Sequence, residues 1–140
     1  MITSYIKYRI QSKNEFHIHS PFVYEFVMKV LNDKSKNADY DTIMRIGRLL
    51  DGKSHQSYRK RKIARLLYRI VRYFEPESVV SFGALSAINT TALALGHLQT
   101  RVYLEQSSDF LDTLNQLGIV NVNLIQPADL DSEKFRKLNT

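Results

Sequence analysis

The run Ser78-Val79-Val80-Ser81-Phe82-Gly83-Ala84-Leu85-Ser86-Ala87-Ile88-Asn89 has an order of residue types suited to cofactor chemistry. A short β-forming stretch, a turn at Gly83 and a series of small residues read as strand, tight turn and helix start. Such a corner presents backbone N–H groups to a nucleotide-type ligand, and glycine lets the backbone come close where a Cβ would intrude. Gly83 is the one glycine in this stretch, and no acidic residue stands before it. A purely structural βα corner accounts for a lone glycine turn equally well.

Other reactive side chains form weaker patterns. His17 and His19 alternate beside Glu15, but two imidazoles without a clear third ligand do not define a metal site. Capping or packing against the following helix is the simpler role, and no metal is expected. Ser81, Ser86, Ser107 and Ser108 lack the G-x-S-x-G context of an activated serine, and His97 falls at a helix end, where it suits the helix dipole. No catalytic residue can be assigned. The segment Tyr58-Arg59-Lys60-Arg61-Lys62 continues through Arg65, Arg69 and Arg72 as a basic stripe, with Tyr68 and Tyr73 interleaved. A stripe of this kind can follow phosphates in a salt-sensitive way; its aromatics also fit the half-buried edge of a core.

The whole chain is consistent with one domain. Its 140 residues, 44% hydrophobic content and net charge of +6 describe a globular protein with a real core. The charge is uneven. Residues 1–72 hold 16 Lys/Arg against 6 Asp/Glu, a net of +10, whereas residues 73–140 hold 4 against 8, a net of −4. A basic surface suits nucleic acid or an acidic partner, and it equally suits a solvated face neutralised by the acidic half. Cysteine is absent, which excludes disulfides and thiolate catalysis and fits a cytoplasmic address. No apolar run approaches the roughly 20 residues of a membrane helix, and the first residues have no apolar leader core.

The elements that would position these residues follow from periodicity. Ile2 to Gln11 reads as a short helix. Ser20-Pro21 starts another to about Leu31, with serine as N-cap and proline at the first helical position. Tyr40 to Leu50 is predicted helical, stopped at Asp51-Gly52, and 53–57 is a polar connection. The clearest helix carries Ile63, Leu66, Leu67, Ile70, Val71 and Phe74 on one face, with Arg61, Lys62, Arg65, Arg69 and Arg72 opposite, and ends at Glu75-Pro76-Glu77. From Ser78 the period changes: strand to Phe82, helix Ala87 to about Leu98, strand Arg101 to Glu105, helix Asp109 to Leu117 closed by Gly118, strand Val120 to Ile125. Ser132 to Leu138 is a candidate last helix. Alternation with short links predicts parallel pairing. The fold expected is therefore α/β: a basic helical lead-in over 1–75, then a partial Rossmann-like parallel sheet of about three strands over 76–140.

Two segments together resemble one family. His17-Ile18-His19-Ser20-Pro21-Phe22-Val23-Tyr24 opens the lead-in, and Tyr73-Phe74-Glu75-Pro76-Glu77-Ser78-Val79-Val80-Ser81-Phe82-Gly83 enters the first strand. The pair is similar to class I S-adenosylmethionine-dependent methyltransferases, in a small bacterial branch with an H-S-P-F-V-Y-like lead-in. The resemblance implies S-adenosylmethionine as cofactor. It sets Gly83 as the first glycine of the cofactor turn, with Ala84, Leu85 and Asn89 lining it. Glu105 corresponds to the acid that accepts the ribose hydroxyls, although a strand-end acid is common in any α/β protein. Asp129 lies near the adenine position. Ser81 and Ala87 stand where the family has an acid and a glycine, so the motif is degenerate and the chain reads as a possible pseudoenzyme.

The resemblance covers the front half of such an enzyme, whose sheet has about seven strands with strand one in its middle. Without strand four, the outer edge of strand one carries unpaired backbone beside Val79, Val80 and Phe82, and such edges are normally covered. A second copy of the chain, as in a dimer, the N-terminal helices or another partner is expected there. The alternative to a methyltransferase-like role is a non-catalytic interaction module that binds an acidic partner or nucleic acid through its basic helices.

Overall fold

A computed structural model describes residues 20–51, 58–82, 86–105 and 108–125. The chain divides into two compact units, 1–35 and 36–140, so residues 36–75 of the expected lead-in share a unit with the sheet. In the first unit, helix α1 (Pro21–Phe26) begins as expected: Ser20 is N-cap, its hydroxyl accepts the Val23 amide at 3.5 Å, and proline opens the first turn. The helix continues over Val27–Leu31 as a wider π turn, closed by the Asn32 amide on the Val27 carbonyl at 2.8 Å. This differs from the single α-helix expected to Leu31; five-residue spacing replaces four in its second half. Lys29 and Glu25 pair on the exposed surface.

The second unit is α/β, with a partial Rossmann-like sheet. Helices α2 (Ala38–Asp51) and α3 (Tyr58–Phe74) precede β1 (Ser78–Ser81), α4 (Ala87–Gly96), β2 (Arg101–Leu104), α5 (Ser108–Gln116) and β3 (Val122–Leu124). The strands are parallel in the order β1-β2-β3. Among the described residues, β1 therefore lies at an edge. Register aligns Val79 with Val102 and Val122, and Ser81 with Leu104 and Leu124. The period-2 geometry of strands puts these two rows on one face. Val102, Leu104 and Val122 there join Leu93 and Ala94 of α4 and Leu114 of α5 in the main core. Val80, Tyr103 and Asn123 alternate onto the other face and are half-buried.

Helix α4 is the centre of the unit. Eight of its ten residues are buried, as expected of a helix apolar all round. Its two buried hydroxyls are satisfied internally: Thr90 donates to the Ser86 carbonyl at 3.2 Å and Thr91 to the Ala87 carbonyl at 2.8 Å. Tyr40, Ile43 and Met44 of α2 and Ala64 and Tyr68 of α3 form a second cluster with Ile88 and Ala92 of α4. The inner face of α3 is centred on Ala64, Tyr68 and Val71, while Ile63 and Phe74, expected on the apolar face, are exposed at 43% and 48%. Of the two roles open to Tyr68, interleaved in the basic stripe or packed at the edge of the core, the structure shows the packed one, more deeply buried than an edge.

Turn chemistry sets the remaining ends. After α5, the Ile119 amide bonds the Leu114 carbonyl and the Gly118 amide bonds the Asn115 carbonyl, both at 3.0 Å, with Gly118 at φ 84°. That is a Schellman ending, and its apolar contact is the buried pair Leu114 and Ile119. Strand β3 is shorter than the expected Val120 to Ile125, and before it stands Asn121, whose carbonyl accepts the Val102 amide at 2.9 Å. The Asn121 side-chain amide donates to the carbonyls of Ala94 at 2.9 Å and Thr100 at 2.8 Å, tying the strand entry to the end of α4.

Candidate functional site

The parallel sheet collects its chemistry at the C-terminal ends of β1 and β2, the place where open α/β sheets hold ligands. Ser81 pairs with Leu104, so the next residues, Phe82 and Glu105, stand side by side across neighbouring strands. Both are exposed, Phe82 at 72%. Helix α4 is the next described element after β1 in the chain. Ser86 is its N-cap in an extended conformation and makes no side-chain cap bond; its carbonyl accepts the Asn89 and Thr90 amides, each at 3.0 Å.

Two polar atoms at this helix start have no hydrogen-bond partner among the described residues. They are Ser86 Oγ and Asn89 Oδ1, and both atoms are buried. Buried polar atoms are nearly always paired, so two unpartnered oxygens within one turn are free to bond a ligand or water. Ser86 carries a hydroxyl that donates and accepts, and Asn89 an amide oxygen that accepts. Glu105 adds a carboxylate at the neighbouring strand end. The three side chains suit a ligand rich in hydroxyl and amino groups.

The positions expected from sequence divide accordingly. Asn89 and Glu105 are brought to one end of the sheet. Gly83, Ala84, Leu85 and Asp129 lie outside the described residues, as do Glu15, His17 and His19. Ala87, where a glycine would admit a cofactor more closely, is buried at 4%, its methyl enclosed by protein. In the sequence Ser86 stands out only as a serine without a nucleophile motif; its place before a small-residue helix is an N-cap signal that could have singled it out. Among the described residues, no group of three or more His, Asp or Glu could hold a metal ion.

No family model, curated protein or solved structure matches this chain.

A second feature is the outer face of α3. Arg59, Arg61, Lys62 and Arg65 are exposed along it. Lys62 lies over the Tyr58 ring, 4.6 Å from its centroid, and Arg65 over the Tyr40 ring at 5.2 Å. A hydrogen bond to Lys62, reinforced by its charge, holds the Tyr58 hydroxyl below the usual tyrosine value. None of these four cations forms an ion pair among the described residues.

Proposed function

We propose that this chain is a methyltransferase-like protein of the S-adenosylmethionine class, with a degenerate cofactor motif and weak or no methyl transfer by itself. The observation that carries the reading is the pair of unpartnered buried oxygens, Ser86 Oγ and Asn89 Oδ1, at the start of the helix that follows β1, with Glu105 at the end of β2. Glu105 would accept the ribose hydroxyls. Ser86 and Asn89 would bond polar groups of the cofactor, while Gly83, Ala84 and Leu85 form the turn around it and Asp129 approaches the adenine. The bound cofactor supplies an electrophilic methyl group on sulfur. The protein's part in such chemistry is positioning and exclusion of water, so the lack of an assignable base does not argue against it.

Titration calorimetry of the full chain with S-adenosylmethionine tests this. Saturable binding that is lost in Glu105→Ala is expected. Absence of binding at about 1 mM ligand, an affinity worth only about 4 kcal/mol, would sink it.

A second reading rests on the four exposed cations of α3, Arg59, Arg61, Lys62 and Arg65, which form no ion pair among the described residues. In it the chain is an interaction module whose basic face binds an acidic partner or nucleic acid. Affinity for a single-stranded oligonucleotide should then fall steeply with salt, by the counterion-release slope. No binding at low salt removes this reading. In either case the free edge of β1 is proposed to be covered by a second copy or a partner, since bare edges template aggregation; a monodisperse monomer with exchange-labile β1 amides would contradict that. No helix among the described residues is long and apolar enough to cross a membrane, and the absence of cysteine supports a cytoplasmic setting as part of the same proposal.

A further inference from the structure

The opposite end of the sheet carries a separate polar site. A cavity of about 550 Å³ opens between the start of α2, the last turns of α3 and the turn from α4 into β2. Asp39, Tyr68, Arg72, His97 and Gln99 line it beside Leu95 and Leu98. His97 and Gln99 precede β2, so a whole strand, roughly 13 Å at about 3.3 Å per residue, separates this cavity from Glu105. The volume is within the usual range of small-molecule sites.

Its charges are held apart by one buried hydroxyl. Tyr68, 1% exposed, donates to Asp39 Oδ2 and accepts from Arg72 Nη1 at 2.7 Å and from Asn37 Nδ2 at 2.8 Å. Asp39 and Arg72 form no ion pair with each other. Asp39 Oδ1 and the remaining guanidinium donors of Arg72 have no hydrogen-bond partner among the described residues.

His97 adds a second acceptor by elimination. The Thr100 hydroxyl donates to the Pro76 carbonyl at 2.5 Å, and that carbonyl can only accept. The Thr100 oxygen must therefore accept from His97 Nδ1, 3.1 Å away. In the neutral ring the proton sits on Nδ1, which leaves Nε2 as an acceptor with no partner among the described residues. The cavity thus combines one planar cation with two acceptors and an apolar flank.

We infer that this cavity binds the ammonium and carboxylate of a free α-amino acid. The carboxylate is taken by the Arg72 fork, the ammonium by Asp39 Oδ1 and His97 Nε2, and an apolar side chain lies along Leu95 and Leu98. A simple anion would face Asp39 uncompensated, and a simple cation would face Arg72. A peptide terminus offers one charge where the site has a place for both. The inference does not depend on the adenosyl reading, because Glu105 does not line this cavity and binding here should survive Glu105→Ala.

The experiment is an amide-resolved NMR titration of the full chain with L-leucine, N-acetyl-L-leucine and L-leucinamide. L-Leucine should shift the His97 and Gln99 amides saturably and bind at least about tenfold tighter than either blocked compound, the worth of one charge-assisted hydrogen bond. Arg72→Lys, which keeps the charge and loses the fork, should weaken L-leucine by a similar factor. Equal binding of N-acetyl-L-leucine would make this an anion site and overturn the inference. Equal binding of L-leucinamide would make it a cation site and do the same. So would the absence of shifts at about 50 mM L-leucine, far weaker than a built site should bind.

Discussion

Gly96 in the last turn of α4 lies against α3 so closely that a β-carbon on it would come within 2.8 Å of Val71 Cβ and 2.9 Å of the Tyr68 carbonyl oxygen. Gly47 of α2 meets α4 in the same manner: a β-carbon there would lie 2.8 Å from Ile88 Cβ and 3.2 Å from its Cα. Two glycines thus let two helices close on the central one, and the obstacles include backbone atoms that cannot swing away.

Gly96→Ala and Gly47→Ala should each destabilise the protein despite the better helix propensity of alanine. Propensity favours alanine by about 1 kcal/mol, while overpacking costs about 1–3 kcal/mol. A net loss of up to about 2 kcal/mol in urea unfolding is expected at each site. Gly118→Ala gives the contrast. Its β-carbon would meet nothing within 4 Å, so its cost is the left-handed backbone alone, about 1 kcal/mol.

The two glycines show where sequence stops being readable. The order of elements from Ser78 to Gly118 was legible because strand and helix periods differ and because glycine after a helix has a local cause in the backbone. Gly47 and Gly96 have no local cause; their reason is a neighbour about 25–40 residues away. Tyr68 is similar. Between Arg65, Arg69 and Arg72 it reads as part of a charged stripe, but its hydroxyl is satisfied by Asn37 and Asp39, which periodicity cannot see. The placement of Glu105 at a strand end and of Asn89 at a helix start was legible, whereas the orphaned Ser86 oxygen and the cavity at the far end required the fold.

Tyr68 and Tyr58 should ionise in a defined order. Burial, then the hydrogen bond to Asp39, pushes the Tyr68 hydroxyl above the usual value of about 10, while Lys62 pulls Tyr58 below it. In a near-ultraviolet tyrosinate titration Tyr58 should ionise before Tyr68, as shown by comparison with Tyr58→Phe and Tyr68→Phe. The folded state holds the Tyr68 proton more tightly than the unfolded chain. Its contribution to stability is therefore complete below about pH 10 and is lost as pH rises beyond that. Unchanged stability of the wild type relative to Tyr68→Phe across that window would contradict the assignment.

Tyr68→Phe should also weaken the fold at neutral pH. Deleting the hydroxyl leaves Asp39, Arg72 and Asn37 without their shared partner, for a loss of about 1–3 kcal/mol. Asn121→Ala should cost a similar amount, because it strips the Ala94 and Thr100 carbonyls of their common donor. The two sites share no partner, so the double variant should be additive within about 0.5 kcal/mol.

Glu75 closes α3 in the left-handed region, at φ 46°, with its amide on the Val71 carbonyl at 2.8 Å. It also precedes Pro76, which disfavours helical backbone angles in the residue before it. A side chain there costs about 1–2 kcal/mol that glycine does not incur, offset by glycine's greater loss of freedom on folding, about 0.4–1 kcal/mol. Glu75→Gly should therefore stabilise the protein by about 0.5–1 kcal/mol with an unchanged denaturant slope. Glu75→Val, whose branched Cβ tolerates this conformation least, should lower stability below that of the wild type. Equal unfolding midpoints for the glycine and valine variants would show that the turn relaxes out of the left-handed region in solution.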